Sequence, residues 1–149
     1  MITVRPAEAS DAGAWLQLRR ALWPDGSEVE HRGDIDRFFA GDAREPLAAL
    51  LAENGAGGPV GLAELSIRAY APGCDTDRVA YLEGWFVVPA ARGRGVGRAL
   101  IAASEEWGWA QGCREFASDA PPDNRVSVAA HRALGFVEVG LVTCFRKDL

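Results

Sequence analysis

Between residues 87 and 100 the chain reads Val87-Val-Pro-Ala-Ala-Arg92-Gly93-Arg94-Gly95-Val96-Gly97-Arg98-Ala-Leu, an apolar strand-like run that passes through small residues into a helix-like one. Glycines let successive backbone N–H groups converge with no Cβ in the way, and a helix that opens there adds its positive end. Arg92, Arg94 and Arg98 add charge in a chain that is acidic overall. The pattern suits a cradle for a diphosphate. Counted from Gly93, the sixth position of a dinucleotide fingerprint G-x-G-x-x-G is Arg98, and no G-x-x-x-x-G-K-[ST] occurs. What remains is R-x-x-G-x-G, from Arg92 to Gly97. The alternative is a Gly/Arg surface turn that caps an ordinary helix.

Two carboxylates lie in positions where they could act on a base. Glu83 sits alone inside Tyr81-Leu-Glu-Gly-Trp-Phe-Val-Val88. A carboxylate in such a run is costly to bury without a partner or a task. Strand alternation would place it on the same face as Tyr81 and Trp85. It is either a functional carboxylate or half of a structural ion pair with an arginine. Asp119 follows the short strand-like Glu115–Ser118, and ligands of open α/β sheets gather at the carboxyl ends of strands. It could face Glu83 there, or serve as a turn or capping residue before Pro121-Pro122.

The elements that must hold these groups follow from periodicity. Ile2–Arg5 alternates like a strand. Asp11 is placed to cap a helix that carries Trp15, Leu18 and Leu22 and ends at Pro24, and Ser27 to cap a second with Ile35, Phe38 and Phe39 inward. Leu47–Glu53 and Val60–Arg68 read as strands joined by a hairpin turn at Gly55–Pro59, and Val79–Val88 as the most apolar strand. A helix with Leu100, Ile101, Ser104 and Trp107 on one side stops at Gly108 or Gly112. Glu115–Ser118, a helix over Val126–Leu134, and one or two strands within Val137–Lys147 complete the order β-α-α-β-β-β-α-β-α-β-β. The expectation is one α/β (α+β) domain over residues 1–149, a mixed sheet with helices on both faces.

Composition narrows the partners. The 149 residues carry 16 Lys+Arg against 21 Asp+Glu, a net charge of −5, with 48% hydrophobic and 25% charged residues. That balance disfavours disorder, nucleic acid and anionic membrane surfaces, and favours cationic small molecules. No apolar run has the length of a membrane span, and the N-terminus does not read as a signal peptide. Cys74, Cys113 and Cys144 form no C-x-x-C pair and only His31 and His131 are present, so neither a disulfide scaffold nor a metal centre is expected, and the cytoplasm is the simplest location.

The loop and the element order resemble the acetyltransferases of the GNAT superfamily along nearly the whole chain. That resemblance implies acetyl-CoA as cosubstrate and a mostly antiparallel sheet splayed at the cofactor site. It implies that Arg92–Arg98 hold the diphosphate, and that the backbone of Trp85, Phe86 and Val87, on a bulged strand, meets the acetyl and pantetheine portions. Asn124 with Ala130-His131-Arg-Ala-Leu134-Gly135-Phe136 resembles the segment near the cofactor thiol. Asn124 would bond the pantetheine arm or cap a helix, or both.

A closer resemblance rests on Arg20-Ala-Leu-Trp23-Pro24, Ser66-Ile-Arg68, Gly73-Cys-Asp75, Leu82-Glu83-Gly84, Gly112-Cys-Arg-Glu115 and Ala117-Ser-Asp119. These look like the aminoglycoside 6'-N-acetyltransferases of type I. The resemblance implies an antibiotic-resistance enzyme, commonly homodimeric through its C-terminal strands. Trp23 would be a wall for sugar rings, Tyr70 a lid residue, and Glu83 and Asp119 anchors for ammonium groups that could also relay a proton. Four positions depart from the pattern. His131 stands where the wider fold often has a tyrosine that protonates the departing thiolate, Phe145 where tyrosine is expected, Gly140 where some carry a glutamate, and Asp25-Gly26 alters the loop after Trp23. Acetylation of a polyamine, an amino acid or a protein N-terminus, and acyl-CoA binding without turnover, are the alternatives.

Overall fold

The computed structural model describes residues 1–42, 45–55 and 57–149. Strand β1 is Thr3–Pro6, followed by helices α1 (Ala12–Leu22) and α2 (Glu28–Phe39), strands β2 (Ala48–Glu53), β3 (Pro59–Arg68) and β4 (Val79–Val87), helix α3 (Val96–Ala110), strand β5 (Glu115–Ser118) and helix α4 (Arg125–Ala133). The sheet order is β1-β2-β3-β4-β5. Neighbours are antiparallel from β1 to β4, and β4 runs parallel to β5.

Each face of the sheet buries its own cluster. Trp15, Leu16 and Leu18 of α1 and Ile35 of α2 cover Ala49, Leu51 and Leu62. Val96, Leu100 and Ile101 of α3 cover Leu50, Leu65 and Leu82 on the other face. Alternate residues of β2 and β3 thus serve opposite layers, as a two-residue strand period requires. Leu100 and Leu51 have no exposed surface, and truncating such a side chain to Ala costs about 2–5 kcal/mol.

Local chemistry sets the helix ends. Ser27 Oγ accepts from Glu30 N (3.1 Å) as the expected cap of α2. Asp11 precedes α1 but does not cap it. Its carboxylate takes Arg5 Nη1 and Nη2 (2.7 and 3.0 Å) and Glu8 N (2.7 Å), because a guanidinium fork is the stronger partner. Helix α3 continues through Gly108, which packs on Ala80, and ends before Gly112. The Gly55–Pro59 turn joins antiparallel β2 and β3, with Ala56 outside the described residues.

One expected element is absent among the described residues: Val137–Lys147 forms no strand. The segment leaves α4 through Gly135, and Val139 packs over the turn at Gly73, where an added Cβ would come within 2.6 Å of it. The outer edge of β5 stays unpaired among the described residues, so the alternating sequence does not by itself bring the segment into the ladder. Val137, Leu141, Val142 and Phe145 consequently lie exposed.

Candidate active site

Strands β4 and β5 pair only from Val79–Glu115 to Leu82–Ser118. Beyond that point β4 continues to Val87 alone on this side, while its other edge stays bonded to β3. The two strands therefore fork, and Trp85, Phe86 and Val87 lie on the free arm. Arg92 Nε donates to Val87 O (2.8 Å), which ties the loop to that arm.

The loop then turns through Gly93 (φ +75°) and Gly95 (φ +90°), a conformation that L side chains resist. Gly95 is the N-terminal flank of α3, and no side chain caps the helix there. The first intrahelical bond runs from Ala99 N to Gly95 O, so the amides of Val96, Gly97 and Arg98 keep no helical partner. Arg92, Arg94 and Arg98 are exposed around them. Gly97 lies against the Trp85 indole, where a Cβ would sit 3.2 Å from Cζ2, and Trp85 Nε1 is buried without a hydrogen-bond partner among the described residues. Free amides, guanidinium groups and an unpaired donor at the head of a forked sheet fit the diphosphate and arm of coenzyme A.

On the opposite face the register of β3 and β4 slips. Leu65 faces Leu82 and Glu64 faces Gly84, which leaves Glu83 as the extra residue of a β-bulge. The bulge corrects the alternation read from sequence. Glu83 shares a face with Tyr81, but Gly84 follows it onto that face and Trp85 turns to the other, against Gly97 and His131. The Glu83 carboxylate receives Arg68 Nε (2.9 Å) and Nη2 (2.7 Å), together with the Ser66 hydroxyl. The ion pair that the sequence offered as an alternative is thus present.

Around Glu83 opens a cleft of about 270 Å³ lined by Arg19, Trp23, Asp34, Glu45, Pro46, Glu64 and Glu83. Four carboxylates against one arginine in this lining favour cations. A wider hollow of about 420 Å³ beside Gln17, Arg20 and Glu28 holds neither Glu83 nor Asp119. Trp23 closes one side of the cleft. Its indole stacks near-parallel on His31 (18° between planes), and a Cβ on Gly84 would lie 2.7 Å from its Cη2. Beneath, Glu64 is 1% exposed and accepts from Trp15 Nε1 (2.8 Å) and Arg19 Nε (2.7 Å).

The carboxyls of the cleft are pushed apart in proton affinity. Burial raises Glu83, but the bonds from Arg68, Ser66 and Glu45 and the charge of Arg68 outweigh it and hold it below the ordinary value. Glu45 moves upward, through its hydrogen bond with Glu83 and then burial, against the pull of Arg68. Burial likewise raises Glu64, opposed by Arg19 and Trp15.

Asp119, one residue past β5, accepts from the Tyr81 hydroxyl, and the Arg68 guanidinium lies 3.6 Å over the Tyr81 ring. One chain of contacts therefore joins Asp119 to Glu83 through Tyr81 and Arg68. Burial and then Asp119 push the Tyr81 phenol upward, so it stays a donor. His131 lies on α4 against Trp85, its Nε2 2.8 Å from Ser118 Oγ and its Nδ1 2.7 Å from Ser127 O. Asn124 Oδ1 caps α4 through Ser127 N (3.1 Å). Tyr70 is 72% exposed in the loop after β3 and is not drawn into these contacts. Glu115 fastens the far end of that loop, accepting from Asp75 N, Thr76 N and Thr76 Oγ1.

Sequence reasoning placed the cradle, Glu83, Asp119 and Trp23 around β4 but assigned no role to Arg68, Ser66, Tyr81, Ser118, Glu45, Asp34 or Glu64. For Ser66 and Arg68 a signal existed, because residues two apart on β3 must share Glu83's face. Glu45 and Asp34 reach the cleft only through the fold.

An anion cradle and an acidic cleft meeting across one bulged strand define a group-transfer protein that takes a diphosphate-bearing carrier from one side and a cation from the other. The family model described as "Acetyltransferase (GNAT) family" matches residues 15–136, and the chain belongs to that family. An aminoglycoside N(6')-acetyltransferase type 1 of Klebsiella aerogenes is 51% identical over 146 residues, covering 98% of this chain and 96% of its own. The structure of aminoglycoside N-acetyltransferase AAC(6')-Iy in complex with CoA superposes with a TM-score of 0.92 at 39% identity, covering 100% of this chain and 96% of that one. The same enzyme bound to the bisubstrate analogue CoA-S-monomethyl-acetylneamine matches equally, with a TM-score of 0.92 and 39% identity over 100% and 99% of the two chains.

Proposed function

We propose that this protein is an acetyl-CoA-dependent aminoglycoside 6'-N-acetyltransferase that confers antibiotic resistance. The observation that carries the reading is the bulge at Glu83. It turns one carboxylate toward an acidic cleft while the same strand offers its free edge to the arm of the cosubstrate. Relatives whose names and ligands combine CoA with an aminoglycoside support it at 38–51% identity over most of the chain.

Acetyl-CoA supplies the activated acetyl thioester. The chain's own residues supply the rest. Amides and arginines between 92 and 98 hold the diphosphate. The backbone of Trp85–Val87 aligns the arm, and Asn124 at the head of α4, whose Oδ1 accepts from Ser127 N, bonds the arm through its side-chain NH2. Glu83 and Asp119 hold ammonium groups of the antibiotic, Trp23 flanks its rings and Tyr70 covers them. Glu83, held as an anion by Arg68, is an anchor first, so an ammonium proton leaves through cleft water to a carboxylate of higher affinity such as Glu45. The free amine then attacks the thioester directly.

The whole chain forms one acetyltransferase domain that works in the cytoplasm and engages neither nucleic acid nor membrane; no helix among the described residues is long and apolar enough to cross a bilayer. The exposed apolar alternation of Val137, Val139 and Leu141 is the surface on which two copies join. A thiol-release assay across kanamycin, tobramycin and other aminoglycosides, with mass spectrometry locating the acetyl group, tests the reading. Acetate on the 6'-nitrogen is the expected result. Turnover only of polyamines, amino acids or peptide N-termini, or tight acetyl-CoA binding with no turnover, would overturn it.

A further inference from the structure

Ser118 is the last residue of β5, at the point where β5 leaves β4, and its hydroxyl lies 2.8 Å from His131 Nε2 and 3.5 Å from Leu82 O. On the far side of the ring, His131 Nδ1 lies 2.7 Å from the Ser127 carbonyl, which can only accept. Nδ1 is therefore the protonated nitrogen, and the ring is fixed edge-on between Trp85 and Phe136 (centroids 5.2 and 5.1 Å away). Both nitrogens are thus occupied, and the imidazole has no free edge with which to meet a leaving group. Ser118 does. With a neutral ring, the hydroxyl points its hydrogen at Nε2. With a protonated ring, Nε2–H donates to Ser118 Oγ and the hydroxyl hydrogen turns toward the fork, held there only by the long contact to Leu82 O (3.5 Å).

We propose that Ser118 is a catalytic residue of this acetyltransferase, the proton donor to the departing sulfur, with His131 behind it as its relay; the proposal rests on the reaction assigned above. As the C–N bond forms and the C–S bond breaks, Ser118 Oγ–H passes its proton to sulfur. His131 Nε2–H returns one to Ser118 Oγ, and once the thiol has left, a water in the fork donates a proton to Ser118 Oγ as the hydroxyl hydrogen passes back to Nε2. The surplus proton on the acceptor nitrogen leaves through the cleft, so the exchange balances as amine plus thioester to amide plus thiol.

Two readouts on Ser118→Ala, Ser118→Thr and His131→Gln test this. In the binary complex with coenzyme A, ultraviolet titration of the thiolate should place the thiol higher by about one pH unit or more in Ser118→Ala, with Ser118→Thr close to wild type, since one donated hydrogen bond to a charge is lost. In turnover, Ser118→Ala should lower kcat about 10²-fold with both KM values little changed, and Ser118→Thr should restore it. An unmoved thiol titration, or a loss confined to the KM for acetyl-CoA, would overturn the proposal. Wild-type protein inactive on every aminoglycoside would instead sink the assigned substrate, and the same variants would then be compared on a polyamine acceptor. Melting temperatures within a few degrees of wild type exclude a folding defect.

Discussion

Replacing Gly84 by Ala places a methyl group where the structure has none, 2.7 Å from Trp23 Cη2, 2.9 Å from Trp23 Cζ2 and 3.0 Å from Leu22 Cδ2. Carbon atoms pack best at about 3.5–4.0 Å, so the indole must retreat by about 1 Å. The His31 ring and the Arg19 guanidinium, 5.0 Å from its centroid, flank it, so the open direction is the cleft that it lines. Overpacking of this kind costs about 1–3 kcal/mol. If Trp23 is the wall of the acceptor site, that cost falls on antibiotic binding, and the KM for kanamycin rises about 5- to 150-fold. On the proposed reading acetyl-CoA meets the 92–98 loop and the free edge of β4, away from Trp23, so its KM should stay within about twofold of wild type. Steady-state kinetics with each substrate varied in turn would measure the split, and thermal melting would monitor the fold. An unchanged aminoglycoside KM in a folded Gly84→Ala protein would refute the placement of Trp23, and a matching rise for acetyl-CoA would refute the separation of the two faces.

Glu83→Gln and Asp119→Asn should each lower kcat/KM for aminoglycosides about 10- to 100-fold, the worth of a hydrogen bond to a charged group, while calorimetry finds acetyl-CoA binding intact. Because the folded Glu83 carboxyl lies below its ordinary 4.5, its contribution to stability is full above that pH and is lost as pH falls through the lowered value. Melting curves should therefore show Glu83→Gln losing less stability than wild type on acidification below pH 4.5. Gly95→Val forces a β-branched residue to φ +90° and should raise the acetyl-CoA KM at least tenfold with aminoglycoside binding unaffected, as equilibrium titration of each ligand would show. If two copies join through the exposed C-terminal segment, light scattering should find wild type at twice 15.9 kDa and Leu141→Glu with Phe145→Glu at the monomer mass.

What the sequence made legible follows the reach of local rules. Strand and helix periods located nearly every element within two residues, since α1 to α3 and β2 to β4 each bury a regular stripe. The cradle was legible because glycines that need φ > 0 stand next to a helix start. Three features escaped. The resemblance implies a bulged strand, but the position of the bulge at Glu83 depends on the register between β3 and β4, which no single strand records, and it reverses the expected orientation of Trp85. The partners of the two carboxylates come from elsewhere in the chain: Arg68 for Glu83 and Tyr81 for Asp119. Finally, Val137–Lys147 has the alternation of a strand but does not pair with the open edge of β5, and periodicity is silent about pairing.

A crystal structure with coenzyme A and kanamycin bound together would test the central claim most directly. The account places the diphosphate on the amides between Gly93 and Arg98, the thiol at the Leu82–Ser118 fork, and the 6'-nitrogen across β4 beside Glu83. Coenzyme A seated away from that loop, or an antibiotic whose 6'-nitrogen points out of the acidic cleft, would contradict it.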